Sequence, residues 1–99
     1  MMIKRIVKLE FETKYIEEFQ RFFEENKTKI RNFEGCEHLE LWQDINDKSR
    51  FMTYSYWQSE NDLNQYRHSD LFKNVYYKTK AMFAKKPQAW SVNTIVKLN

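Results

Sequence analysis

A chain of 99 residues, 41% hydrophobic and 17% aromatic, is too rich in core-forming side chains to be disordered and too short for two cores, so one domain spanning residues 1–99 is expected. Seventeen Lys and Arg against fourteen Asp and Glu leave a formal charge of +3, and the basic residues alternate with apolar or acidic ones, which argues against a nucleic-acid partner. One cysteine excludes an internal disulfide, His38 and His68 lie too far apart to form a metal-ligand spacing, and a single glycine leaves no phosphate-cradling loop, so neither a metal nor a nucleotide or flavin cofactor is expected.

From the N-terminus, Ile3, Val7, Leu9 and Phe11 alternate with Lys4, Lys8 and Glu10, the period of a strand. This opening segment lacks the uninterrupted apolar core of a signal peptide, and no run in the chain approaches the ~20 apolar residues that cross a bilayer. A cytoplasmic protein without a membrane partner is expected. Thr13 is placed to cap a helix over about residues 14 to 32, in which Ile16, Phe19, Phe23 and Ile30 recur at helical spacing and glutamates fill the other face. Gly35 follows where a left-handed residue commonly closes a helix.

Next, "CEHLELWQD" and "RFMTYSYW" read as two strands joined by a turn on Asn46, Asp47 and Ser49. Strict alternation sets Leu39 and Leu41 against Cys36, His38, Glu40 and Trp42, and sets Met52, Tyr54 and Tyr56 against Phe51, Thr53, Ser55 and Trp57. Neither face is uniformly polar, which implies that something covers both.

Ser59 with Asp62 forms a capping-box pattern, and Ser69 restarts the helix. Beyond it Leu71, Val75 and Met82 form one stripe and Phe72, Tyr76 and Phe83 a second, up to a stop at Pro87. "QAWSVNTIVKL" supplies a last strand with Trp90, Val92, Thr94 and Val96 on one side. The order strand, helix, strand, strand, helix, strand predicts a ferredoxin-like α+β fold, βαββαβ, whose four-stranded antiparallel sheet carries both helices on one face. The open face is then expected to pair with a second copy, giving a homodimer.

The segment "YSYWQSENDLNQYRHSDLF", with Trp57, Ser59, Tyr66, Ser69 and Phe72, resembles the antibiotic biosynthesis monooxygenase-like family of dimeric α+β barrels, and "FEGCEHLELWQD" is similar to its second strand and the glycine before it. The resemblance implies oxygenation of phenolic or quinol-type molecules with molecular oxygen and no bound flavin or metal. A heme-degrading branch would need Trp and His where this chain has Tyr66 and Tyr76, and an Asn that its first strand lacks, so heme is disfavoured.

Tyr66 and Tyr76 are accordingly the candidate hydrogen-bond donors, with His38 a candidate base because imidazole titrates near neutrality. Trp42, Tyr54 and Trp57 are the expected walls of a substrate pocket for a small aromatic molecule. Each also has a packing role open to it: the tyrosines as core, Trp57 as a plug, His38 as an interface residue, and Arg67 as the partner of Asp70 or Glu60 rather than of an anionic substrate. Cys36 has no activating neighbour in the sequence and is not expected to be a nucleophile. The reading that results is a cofactor-independent monooxygenase; the alternative is a non-catalytic dimeric ligand-binding or stress-related domain of the same fold.

Overall fold

The computed structural model describes residues 2–99. Strands β1 (Ile3–Glu10), β2 (Cys36–Gln43), β3 (Arg50–Trp57) and β4 (Gln88–Val92) form one antiparallel sheet in the order β2-β3-β1-β4. Helix α1 (Ile16–Arg31) connects β1 to β2, and α2 (Glu60–Arg67) and α3 (Asp70–Lys80) connect β3 to β4. This is the ferredoxin-like arrangement, with the second helical connection broken in two. Among the described residues no helix is long and apolar enough to cross a membrane.

Register assigns the faces. Ile3, Arg5, Val7 and Leu9 pair with Trp57, Ser55, Thr53 and Phe51, and all of these lie on the helix side. Lys4, Ile6 and Lys8 pair with Tyr56, Tyr54 and Met52, which fixes the bare side. The apolar interior divides into two clusters. One joins Leu9, Phe11, Phe19, Phe51 and Met82; the other joins Ile30, Cys36, Trp57, Leu63 and Tyr66. Phe23 touches both.

Local chemistry explains most element ends. Ser59 Oγ accepts from the Asp62 backbone N–H at 3.1 Å and Ser69 Oγ from that of Phe72 at 3.1 Å, so both predicted caps form. Ser69 Oγ also donates to the Tyr66 carbonyl at 2.6 Å, holding the break between α2 and α3 closed. Gly35 has φ +90°, the left-handed value expected of it. Thr13 behaves differently from its expected role: it opens a short 3-10 turn over Thr13–Tyr15, and α1 starts after Tyr15 with no side-chain cap.

Three further expectations are corrected. Cys36 does not share a face with His38, because a bulge between them gives β2 one extra residue against β3 and turns Cys36 into the core. Helix α3 stops at Lys80 rather than near Pro87: the Met82 N–H bonds back to Thr79, Phe83 bridges to Phe11, and the Ala84 N–H donates to the Glu10 carbonyl at 2.8 Å. Backbone pairing with the end of β1 thus replaces a last helical turn. Strand β4 ends at Val92, and Thr94 and Val96, expected to extend it, lie in an exposed tail.

Candidate functional site

The two core clusters do not close on each other. Between the helix side of the sheet and α1, α2 and α3 lies a cavity of about 480 Å³, a size typical of small-molecule sites. Its walls are mainly apolar: Val7, Leu9 and Leu39 from the sheet, Phe19, Phe23 and Ile30 from α1, and Leu63, Phe72 and Val75 from α2 and α3. Two other grooves have similar volume but lie on the surface, among charged side chains of α1 such as Glu24, Lys27 and Arg31 or Glu18, Arg21 and Glu25. The interior cavity is the one with convergent polar groups and buried walls, so it is the candidate site.

Tyr66 belongs to this cavity. Its ring stacks on Trp57 at 4.8 Å and meets Phe33 and Phe72 edge-on, both at 5.3 Å, which fixes its plane. Among the described residues no fully buried side-chain oxygen or nitrogen lacks a partner. The Tyr66 hydroxyl bonds to no protein group among those residues and is therefore not fully enclosed by protein, and the residue lines the cavity. Burial pushes its phenol well above the ordinary tyrosine range, with the nearby Cys36 thiol adding to the shift, so near neutrality Tyr66 is a hydrogen-bond donor and not a base. Tyr76 stacks on Phe72 at 5.7 Å, remains 36% exposed and stands at the rim.

Trp57 is 1% exposed and donates its indole N–H to Ser55 Oγ at 3.0 Å, forming both a plug and part of the wall. The other polar lining groups are Arg5, Arg67, Thr53 and Thr79, the last with its hydroxyl directed to the Val75 carbonyl at 2.7 Å. Arg67 forms no ion pair with Asp70 or Glu60 among the described residues. Sequence reasoning missed Arg5. Strand alternation placed it with Ile3, Val7 and Leu9, and a charge out of pattern on an apolar face was the available signal.

His38, Trp42 and Tyr54 lie elsewhere. They project from the bare side of the sheet, so the sheet itself separates them from the cavity that Trp42 and Tyr54 were expected to wall. There the Trp42 ring lies 4.8 Å from Tyr54, His38 lies 4.7 Å from Tyr56, and the Tyr54 hydroxyl donates to that of Tyr56 at 3.1 Å. Glu40 sits between His38 and Trp42, accepting from the Trp42 indole at 2.8 Å and hydrogen-bonded to His38. The Trp42 bond and then the His38 bond hold the Glu40 carboxyl below the usual range. Tyr54 is pushed up to about 12, chiefly by its bond to Tyr56.

The sequence profile of antibiotic biosynthesis monooxygenases matches residues 2–76. The chain belongs to the antibiotic biosynthesis monooxygenase family. Solved structures agree in fold. A conserved protein from Methanosarcina mazei superposes with a TM-score of 0.87 at 18% identity, covering 93% of this chain and 91% of its own. Rv0793 from Mycobacterium tuberculosis gives 0.88 at 11%, with both chains fully covered. A point mutant of SnoaB, a cofactor-independent oxygenase from Streptomyces nogalater, gives 0.86 at 9%, covering 98% of this chain and 96% of its own. No curated protein matches the chain by sequence.

In this family member the residues that carried the resemblance gather at the cavity: Trp57, Tyr66 and Phe72 line it, while Ser59 and Ser69 start the helices α2 and α3 beside it. Cys36 is buried, its thiol raised by that burial, and it lies outside the cavity lining. Among the described residues no three His, Cys, Asp or Glu side chains converge as metal ligands would.

Proposed function

We propose that this antibiotic biosynthesis monooxygenase family member is a cofactor-independent oxygenase of a small hydroxyarene or quinol-type molecule held between the sheet and the helices. The observation that carries this reading is an apolar cavity of about 480 Å³ lined by Tyr66, whose hydroxyl has no protein hydrogen-bond partner among the described residues. A phenolic substrate can supply all the electrons itself. Loss of its proton gives a phenolate, which passes one electron to oxygen. Recombination of the two radicals at a ring C–H carbon gives a hydroperoxide, and loss of water leaves a quinone. One oxygen atom enters the product and the other leaves as water, so no external reductant is consumed.

The protein's part is to exclude water, orient the ring between apolar walls and donate a hydrogen bond to the substrate oxygen, where negative charge resides. Tyr66 is the proposed donor, Tyr76 a second donor at the rim, and Trp57 a wall. His38, Trp42 and Tyr54 are instead assigned to contact with a second copy of the chain across the bare sheet face. That face, on which Trp42 and Trp90 are 39% and 45% exposed, supports this homodimer.

Oxygen uptake with a panel of hydroquinones and naphthols tests the reading. Wild type should consume oxygen and form quinone in equal amounts, and Tyr66→Phe should lower kcat roughly a hundredfold with little change in KM. Equal kcat in the two would remove Tyr66 from the reaction, and no uptake with any member of the panel would remove the reaction itself.

A further inference from the structure

The cavity's charged lining is of one sign. Among the described residues it contains no Asp, Glu or His to take a substrate's proton, and its only charged members are Arg5 and Arg67. Arg50 on β3, by contrast, meets three carboxylates: Glu10 at 2.7 Å, Asp44 at 3.2 Å and Asp47 at 3.8 Å. Neither cavity arginine has a carboxylate partner among the described residues. Arg5 uses one donor on Ser91 Oγ at 3.0 Å, which steadies its guanidinium and leaves its other N–H groups available.

Arg5 is half-buried on β1 and Arg67 is exposed at the end of α2, so the two approach the cavity from the sheet and from the helix layer. Arg5 is held below the ordinary arginine range, first by partial desolvation and second by the Arg67 cation. Two like charges beside an apolar space raise each other's energy, and an anionic oxygen between them would relieve both while receiving charge-assisted hydrogen bonds.

We propose that Arg5 and Arg67 form a two-cation site for the anionic oxygen of an aromatic ligand, so that the cavity takes hydroxyarenes as phenolates and ionises them without a base. The inference rests on the cavity being the substrate site. The proton leaves to solvent water, giving phenolate and hydronium, and the arginines shift that equilibrium by binding the phenolate. This supplies the deprotonation for which His38, across the sheet, is out of reach.

The test uses 4-nitrophenol, whose phenolate has its own visible band, and 4-nitroanisole, its neutral methyl ether. Binding of both to the intact protein is followed by quenching of tryptophan emission, and the pKa of bound 4-nitrophenol by absorbance titration. In wild type that pKa should fall about one to two units below the free value. Arg67→Gln and Arg5→Gln should each return it toward the free value and weaken nitrophenolate binding about tenfold, while 4-nitroanisole binds all three proteins alike. If 4-nitroanisole binds but the bound nitrophenol keeps its free pKa in wild type, or keeps a lowered one in both variants, the two-cation site is overturned and the cavity reading stands. If neither compound binds, both fall together.

Discussion

Tyr66 is the residue at which packing and chemistry meet. Three aromatic neighbours hold its ring while its hydroxyl is left unpaired, so Tyr66→Phe removes a donor without opening a void. The variant's thermal midpoint should stay within about 2 °C of wild type, because deleting an unpaired hydroxyl removes no protein hydrogen bond. Trp57→Ala, by contrast, deletes a ring that is 1% exposed and should cost about 3–5 kcal/mol, read as a lower urea midpoint. Gly35 is constrained twice over. Its φ of +90° penalises any L side chain by about 1–2 kcal/mol, and a Cβ there would sit 2.4 Å from that of Asp62. Gly35→Ala should therefore lose more than the backbone penalty alone, and urea unfolding of the variant checks it. The glycine was readable as a helix terminator because it is the only one in the chain; its closeness to Asp62 was not, since that contact joins segments brought together only by the fold.

Among the elements, the β2–β3 hairpin carries the largest share of the molecule's ion pairing. Asp44 Oδ1 accepts the N–H groups of Asn46 and Asp47, Asp47 accepts those of Ser49, and Arg50 links both aspartates to Glu10 on β1. Glu10 is held below the ordinary carboxylate range first by its Arg50 bond, Asp44 by the Asn46 and Asp47 amides, and Asp47 by Ser49. Depressed folded values mean that the unfolded chain binds more protons. The stabilisation is therefore complete above the unfolded values, roughly pH 4 to 4.5, and is lost as pH falls through the lower folded ones. Arg50→Met should flatten the fall of thermal midpoint with acidification in that window; an unchanged slope would mean that other groups set it. In the split connection, Ser59→Ala and Ser69→Ala should each cost about 1 kcal/mol in urea unfolding. The loss should be larger at Ser69, whose hydroxyl also holds the Tyr66 carbonyl.

At the scale of the whole molecule, the sheet has a helix-covered side and an aromatic side, and the homodimer reading makes a direct prediction. Sedimentation should give twice the 12.3 kDa chain mass, and Trp90→Lys should shift the protein toward monomer. A wild-type monomer at micromolar concentration would contradict the proposal. The architecture was legible because alternation in β1 and β3 and helical spacing in α1 agree with one another, with each connection punctuated by Gly35, Ser59 or Ser69. The site was legible in part. Alternation sorts residues into two faces but cannot say which one the helices cover when both carry large side chains, Leu9, Leu39 and Trp57 on one and Trp42, Tyr54 and Tyr56 on the other; for this reason the expected pocket walls Trp57, Trp42 and Tyr54 fall on opposite sides of the sheet, with only Trp57 lining the cavity. Arg5 could have been found from its out-of-pattern charge, whereas the lack of a carboxylate near Arg67 depends on where the short helices settle. The bulge in β2 has a consequence for chain length. Cys36 pairs with Trp57 and His38 with Tyr56, so Glu37 is a supernumerary residue in the ladder. Excising it would leave Cys36 inward and His38 outward as ordinary neighbours, and the strand would accept a one-residue deletion without reversing a side chain.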